Sequence, residues 1–572
     1  MRNKQDAADR VATGGVGRRS FLTAAVGTVA AGVPLVAGAR PALAAPAPGD
    51  GERHGAAPAA VGATIRPGDS RYADLTTGNN QRFVARPDYV KFIASAQDAA
   101  TALAAAAAAG KKFTIRSGGH CFADFVCNPR TQVILDMSTM TRVDYDPRMR
   151  AFAVEPGARL LNVYEQLYKG WGVTIPGGIC WSVGIGGHIA GGGYGLLSRA
   201  HGLVVDHLHA VEVVTLDARR RARVVTATRN DSGALGDLFW AHTGGGGGNF
   251  GIVTKYYFRS PGATGSDPGQ QLIAAPSKVY VNSISLPWNQ LTAEKFSRLI
   301  SNFGRWHERY KAPGTPESNL SSLFNVSHRA HGSLGMFTQI DAAAPNARAV
   351  LDGYLAAITE GVDITPEPSV KPHGELPAMP ELFATRLMPW LQASKLVGTN
   401  NPTITNPTSR GAHKSAYLNR AFSQRQLDVL YRQMSRGDFT NPDTMLVLFS
   451  FGGQVNAVAR DATANAQRRS AFKMCLQTFW ESPSDDEYFL AWERETYEGM
   501  FADTGGVPVP GGAADGCYIN YPDVDVADPA HNSSGVSWQR LYYQDNYPRL
   551  QRAKRAWDPL DFFNHRLSIR PT

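Results

Sequence analysis

The residues most able to do chemistry stand in three glycine-rich segments: FTIRSGGHCF (113–122), PGGICWSVGIGGHIAGGGYG (176–195) and HTGGGGGNFGIVT (242–254). Glycine turns expose backbone N–H groups without side-chain cover, which suits a pyrophosphate. The run Gly246–Gly251 matches GxGxxG, but a dinucleotide fingerprint needs a strand before the glycines and a helix after them. Here the strand follows, and no Walker A lysine pattern is present, so a nucleotide bound here belongs to a different fold. His120 and Cys180 sit inside two of these loops. Taken alone, His120 reads as a structural loop histidine and Cys180 as an inert thiol or a disulfide partner. His120 with Cys121 and Cys127 offers only three ligands at poor spacing for a metal. The five cysteines (Cys121, Cys127, Cys180, Cys475, Cys517) are an odd number, so at least one is not in an intramolecular disulfide.

The elements that must hold these loops follow from periodicity. Between about 82 and 260 helix and strand signals alternate: a helix over Tyr89–Ala109, strands at Phe113–Arg116, Val133–Asp136 and Ala151–Val154, a helix at Leu160–Lys169, and strands at Val211–Leu216 and Gly251–Phe258. From 263 to about 515 longer strands and amphipathic helices (Ala293–Tyr310, Ala347–Glu360) predict a second domain carrying a sheet. A last stretch has a helix near Trp538–Trp557, ended by Asp558-Pro559. The chain of 572 residues exceeds one compact core. With 43% hydrophobic and 19% charged residues it is globular, which excludes a disordered scaffold, a coiled coil and a collagen-like fibre.

The net charge is +9, and the first 44 residues contribute six Lys/Arg against two Asp. What is left, about +5, forms no basic run, so no nucleic-acid footprint is expected. The start of the chain, with Arg18-Arg19, a soft apolar stretch and Ala42-Leu43-Ala44, resembles a twin-arginine export signal over 1–44. It predicts a secreted protein with no membrane association after cleavage. A flexible lead-in follows at 45–77.

Four motifs in order, RSGGHCF, PGGICWSVGIGGHIAGGGYG, GGGGGNFGIVT and the terminal YINYPD…YYQDNYPRLQRAKRAWDPLDFF, resemble the FAD-linked oxidases of the vanillyl-alcohol oxidase (PCMH-type) superfamily. The nearest branch is the berberine-bridge-enzyme-like one, with its carbohydrate and antibiotic-tailoring oxidases. The resemblance implies an α+β fold: a two-part PCMH-type FAD-binding domain (78–262), a substrate domain with an antiparallel sheet covered by helices (263–515), and a C-terminal segment (516–572) returning to the FAD domain. It implies FAD bonded twice, by His120 to the flavin 8α-methyl and by Cys180 to C-6. An imidazole nitrogen and a thiolate are the side chains best able to add to that electron-poor ring edge. Arg116, Ser117, Gly118, Gly119 and Cys121 are expected around the pyrophosphate. Gly177, Gly178, Gly186, Gly187, His188, Gly191, Gly192 and Gly193 are expected along ring and ribityl chain, and Gly248, Asn249 and Ile252 or Val253 at the nucleotide end. No metal is called for.

On the donor side the resemblance places a catalytic tyrosine in Tyr518-Ile519-Asn520-Tyr521, with Tyr521 first and Tyr518 as helper. A phenolate there takes the hydroxyl proton if nearby positive charge lowers its pKa. Where relatives carry a second acid–base residue, on the strand before Gly452-Gly453, this chain offers Val447, Phe449 and Phe451, and Tyr417 is the candidate to fill the gap. Val183 stands where valine in relatives admits dioxygen. These features predict oxidation of a secondary alcohol on a sugar, glycoside or polyketide-like molecule, with dioxygen going to hydrogen peroxide. The alternatives are an oxidative cyclisation or C–H oxidation, and a flavin-free carbohydrate-binding protein.

Overall fold

A computed structural model of the protein describes residues 62–398 and 406–571. The expected export signal and the first part of the lead-in lie outside the described residues. Four short strands, β1 (Thr64–Ile65), β2 (Tyr89–Phe92), β3 (Phe113–Arg116) and β4 (Val133–Asp136), form a sheet in the order β1-β2-β4-β3, with β4 parallel to both neighbours. The helix expected over Tyr89–Ala109 is therefore divided. Tyr-Val-Lys-Phe is a β-favouring run and pairs as β2, and the helix begins only at Ala96, where the Ser95 hydroxyl accepts from the Asp98 N–H at 3.0 Å.

The next strands are β5 (Val143–Asp146), β6 (Ala151–Val154), β7 (Val173–Thr174), β8 (Leu208–Leu216), β9 (Ala222–Thr228), β10 (Ile252–Phe258) and β11 (Ile273–Ala274). Five of them make an antiparallel sheet, β5-β6-β10-β8-β9, while β7 and β11 pair with each other. The helix Leu160–Trp171 lies between β6 and β7 and stops at Gly172, whose φ of 70° provides a left-handed cap.

The third sheet has seven antiparallel strands: β12 (Lys278–Pro287), β13 (Leu320–Ser327), β14 (Ser333–Asp341), β15 (Arg386–Pro389), β16 (Arg410–Leu418), β17 (Thr444–Ser450) and β18 (Phe472–Trp480). Their order is β15-β12-β14-β13-β17-β18-β16. Strand side chains alternate between faces. Leu446 and Leu448 of β17 and Phe472, Met474 and Leu476 of β18 pack under helices that include Ala293–Arg309, around Phe296, Leu299 and Phe303. The opposite parity, Val447, Phe449 and Cys475, joins the core that holds Tyr194 and Tyr518. Both faces are covered, so all nine residues of β18 are buried.

The C-terminal segment returns to the third glycine loop. Lys554 donates to the Asn249 carbonyl at 2.9 Å, Ile569 N–H donates to Asn249 Oδ1 at 2.9 Å, and the Tyr543 hydroxyl donates to the Gly245 carbonyl at 3.0 Å. The single helix expected over Trp538–Trp557 is two, Trp538–Tyr543 and Tyr547–Trp557. Gln544 between them has φ 51°, outside helical geometry, and Pro548 opens the second helix.

Candidate active site

The three glycine loops line one cavity between the first two sheets and the seven-stranded sheet. Loop contact is close: a Cβ added to Gly118 would stand 2.3 Å from the Gly184 nitrogen, and one on Gly184 would stand 2.2 Å from Ser117 Oγ. The Ser117 hydroxyl donates to the Pro156 carbonyl at 2.6 Å and accepts from Gly186 N–H at 3.2 Å. Glycine allows the first two loops to press together, and His120 and Cys180 consequently share one wall.

Ser182 joins them, with its hydroxyl 2.8 Å from His120 Nε2 and 3.8 Å from Cys180 Sγ. His120 Nδ1 is buried without a partner. Burial, helped by the Arg159 charge, lowers the His120 pKa to about 4, so the ring is neutral and one of its two nitrogens carries a lone pair. The Cys180 thiol is pushed up to about 11, by burial first and then by the Glu375 charge. It rests as a thiol rather than the thiolate that makes the better nucleophile.

The wall of the cavity also includes Arg116, Ser117, Gly118, Gly119, Cys121, Gly178, Val183, Gly186, Gly187, His188, Gly248, Asn249, Val253, Tyr518 and Tyr521. Gly177, Gly191, Gly192, Gly193 and Ile252 were expected there and do not reach it. Gly191 packs on Asn520, Gly192 on Asn465 and Gly193 on Val204, and Ile252 points into the core behind the first glycine loop. These glycines serve backbone packing rather than a ligand surface. The Arg116 guanidinium is committed to Asp136 at 2.6 Å and to the Leu75 and Thr77 carbonyls, so its side chain is not free for a phosphate. The five cysteines are free thiols, Cys121 and Cys127 included.

At the donor end the Tyr521 and Tyr194 hydroxyls are 2.6 Å apart. Tyr194 lies within the second glycine motif, and its aromatic side chain was the overlooked signal there. Tyr518 Oη accepts from Gly193 N–H at 3.3 Å and from Asn520 Nδ2 at 3.0 Å, while Asn520 also donates to the His188 carbonyl at 3.0 Å. Phe122 stacks on Tyr521, with centroids 5.8 Å apart. Below the tyrosines, Lys473 Nζ sits 3.3 Å from the Tyr194 ring centroid, 3.6 Å from that of Tyr518 and 5.3 Å from that of Tyr521, with no hydrogen-bond partner. Burial holds Lys473 well below its ordinary pKa, opposed by the Cys475 and Glu375 charges, and the ring faces attract any ammonium there.

The lowered tyrosine pKa expected for a phenolate is not found. Burial raises Tyr521 well above its ordinary value, and so does the neighbouring Tyr194, leaving the pair as phenols. Tyr417 does not fill the acid–base gap: it is buried behind Tyr518, with ring centroids 6.0 Å apart, and is absent from the cavity wall. Of the β17 residues, Phe449 and Ser450 reach the cavity, where the Phe449 ring meets Tyr194 edge-on at 5.6 Å. The only carboxylate among the described residues of the wall is Glu375, which the sequence reading missed because it lies in a Pro-rich connector without periodicity.

The residues fit a flavin nucleotide. A Cβ on Gly187 would meet nothing within 4 Å, and one on Gly247 would meet only Ala190 Cβ at 3.9 Å, so these backbones face open cavity. An orphaned imidazole nitrogen and a thiol share the wall. When bound, the isoalloxazine accepts hydride; His120, Cys180 and the three loops would hold it.

Comparisons with known proteins agree with this geometry. A model described as "FAD binding domain" matches residues 87–221, and one described as "Berberine and berberine like" matches 517–570. The aclacinomycin-N/aclacinomycin-A oxidase of Streptomyces galilaeus is 46% identical over 97% of this chain and 98% of its own. The hexose oxidase of Chondrus crispus is 33% identical over 88% and 93%. A crystal structure of a glycopeptide hexose oxidase complexed with teicoplanin superposes with a TM-score of 0.83 at 41% identity, covering 90% of this chain and all of the other. A flavin-free binding protein is thereby set aside. The chain belongs to the berberine-bridge-enzyme-like branch of the PCMH-type FAD-linked oxidases and is an FAD-dependent oxidoreductase.

Proposed function

We propose that the protein is an exported oxidase carrying FAD bonded at both His120 and Cys180. It oxidises a secondary alcohol on a sugar or on a glycosylated or polyketide-type natural product, and dioxygen takes the electrons as hydrogen peroxide. The observation that carries this reading is the Tyr194–Tyr521 hydroxyl pair in the same cavity wall as the two nucleophiles. His120 Nδ1 is neutral and unpartnered, ready for a covalent bond, and Ser182 stands beside both anchors. Tyr521, backed by Tyr194, meets the donor hydroxyl and orients it by a hydrogen bond.

Val183, whose carbonyl accepts from Leu160 N–H at 3.0 Å, puts a small side chain in the wall beside Cys180 and leaves room for dioxygen. Phe449 favours a donor with an aromatic or aliphatic body. The relatives named for aclacinomycin and for hexose support a sugar or glycoside. In this reading 78–262 and 516–572 hold the cofactor, 263–515 shapes the donor site, and the twin-arginine segment exports the folded, loaded protein.

Purified protein denatured in acid should stay yellow and be heavier by one FAD. Replacing both His120 and Cys180 with Ala should be needed to release all the flavin. A panel of sugars and glycosylated aromatic compounds scored by peroxide release should give a donor. Full release of flavin on denaturing the wild-type protein would refute the double attachment. Flavin reduction by a donor with no peroxide formed in air would refute the oxidase reading.

A further inference from the structure

Strand β17, which lines the cavity with Phe449 and Ser450, brings no carboxylate, imidazole or amine to the donor site. A different element supplies one. The connector between the helix Ala347–Thr359 and β15 folds back on itself through paired backbone bonds between His373 and Leu376, at 2.8 and 3.0 Å. This tight turn directs Glu375 into the cavity, in the same wall as Tyr194, Tyr521 and Phe449. Glu375 is only 7% exposed.

Its Oε1 accepts one hydrogen bond, from Gln477 Nε2 of β18 at 3.2 Å. No ion pair to Glu375 is found among the described residues; Lys473, two positions before Cys475 on β18, acts on it through its charge but sets its Nζ against the tyrosine rings. A buried carboxylate without a cationic partner is expensive unless it can take up a proton. The groups facing it are Tyr194 and Tyr521, Lys473 and Cys475 of β18, and Cys180. Of these the two tyrosines are phenols, held above their ordinary range, and cannot be the final resting place of a proton near neutral pH. Burial, opposed by the Gln477 bond and the Lys473 charge, pushes Glu375 up to about 7, where a general base works best.

We propose that Glu375 is the site's final proton acceptor in donor oxidation. The carbinol O–H bond breaks and its proton ends on the Glu375 carboxylate. The C–H bond breaks with its electron pair passing to the oxidised flavin, and the carbon–oxygen double bond forms. This rests on the proposed alcohol oxidation, which supplies the hydride acceptor. The anaerobic reduction of the holoenzyme by its donor, followed across pH, tests it in wild type, Glu375→Gln and Gln477→Leu.

The wild-type rate should fall tenfold per pH unit on the acid side, with a midpoint near 7. Glu375→Gln, which keeps an oxygen for the Gln477 amide, should lose that limb and run about 10²-fold slower. Gln477→Leu leaves the carboxylate but removes its one donor, and should move the limb to higher pH. Infrared difference spectra between about pH 5 and about pH 9 should show a protonated carboxyl in wild type that is missing in Glu375→Gln.

The infrared signal reads Glu375 whether or not a donor has been found. A wild-type enzyme that no alcohol reduces would sink the proposed function while that titration still stood. A Glu375→Gln enzyme that keeps the acid limb at a rate within threefold of wild type would overturn the proton-acceptor role alone. If Glu375→Gln lost its flavin, the direction of the Gln477→Leu shift would decide: an unmoved limb rejects Glu375.

Discussion

Tyr521 and Tyr194 share one hydrogen bond at 2.6 Å, and a buried amine lies beneath their rings. In the proposed oxidation, removing the Tyr521 hydroxyl would leave the donor oxygen without its partner. Tyr521→Phe is therefore expected to lower the rate of flavin reduction about 10²-fold while the flavin content, read by absorbance of denatured protein, stays at wild-type level. Lys473 should show the opposite balance between stability and function. Its Nζ has no hydrogen-bond partner among the described residues, so replacing it by an apolar side chain of similar length removes a desolvated polar group. Lys473→Met is expected to raise Tm by about 2 °C or more and to slow donor oxidation at least about tenfold. A fall in Tm, or an unchanged rate, would mean the cage of rings is merely packing.

At the scale of elements, the loops that bear His120 and Cys180 are held by contact between backbones. The Gly118 and Gly184 positions face each other with no room for a Cβ on either side. Gly118→Ala or Gly184→Ala should each cost about 1–3 kcal/mol of stability through overpacking. On the proposed double attachment, each should also separate His120 from Cys180, so that denaturation frees flavin that wild type would retain. Calorimetry together with the mass of the denatured chain would check both effects. Gly191 and Gly193 work differently: Asn520 Oδ1 lies 2.2 Å from a Cβ at Gly191 and the Gly193 N–H donates to Tyr518 Oη, so these two seat the YINY turn that carries Tyr518 and Tyr521.

Across the whole molecule, buried titratable groups set how stability depends on pH. Glu493, on the helix Asp486–Met500, is buried beside the Lys414–Asp523–Asp525 cluster that pins the segment after Tyr521. Burial raises its pKa to about 8, despite the attraction of Lys414. A carboxyl whose pKa is higher folded than unfolded stabilises the fold fully below the unfolded value and loses that contribution as pH rises through the folded one. Buried neutral histidines oppose it only in acid: His188 and His242, lowered to about 4 by burial, lose stability as pH falls below their unfolded value. Above about pH 6.5 they no longer titrate in either state. Lys473 and Lys112, both lowered by burial, act in the opposite sense over this range, so the contribution is read against the variant: between about pH 6.5 and about pH 9 the Tm of wild type should fall relative to that of Glu493→Gln. An unchanged slope in the variant would assign the loss elsewhere.

The sequence by itself determined what local backbone chemistry dictates. Short motifs such as SGGH, GGGYG and YINY report where a chain must turn tightly or let another backbone approach, and those demands act within a few residues. Hence β3, β4 and β6 and the glycine loops were legible, whereas the grouping of His120, Cys180 and Tyr521 was implied by the resemblance of the motifs to a known family. The unread parts are long-range. In β18 the alternation of Phe472, Met474 and Leu476 with Lys473, Cys475 and Gln477 reads as a strand with one face in solvent. The fold covers that polar face with the cofactor-binding half, turning an apparently solvated lysine into a buried amine among four tyrosines. Glu375 sits in a connector with no periodicity to mark it, and Tyr417, promising by type, is screened by Tyr518. Side-chain alternation follows from the pleat of one strand, but which face meets water depends on what packs against the sheet, and only the tertiary structure decides that.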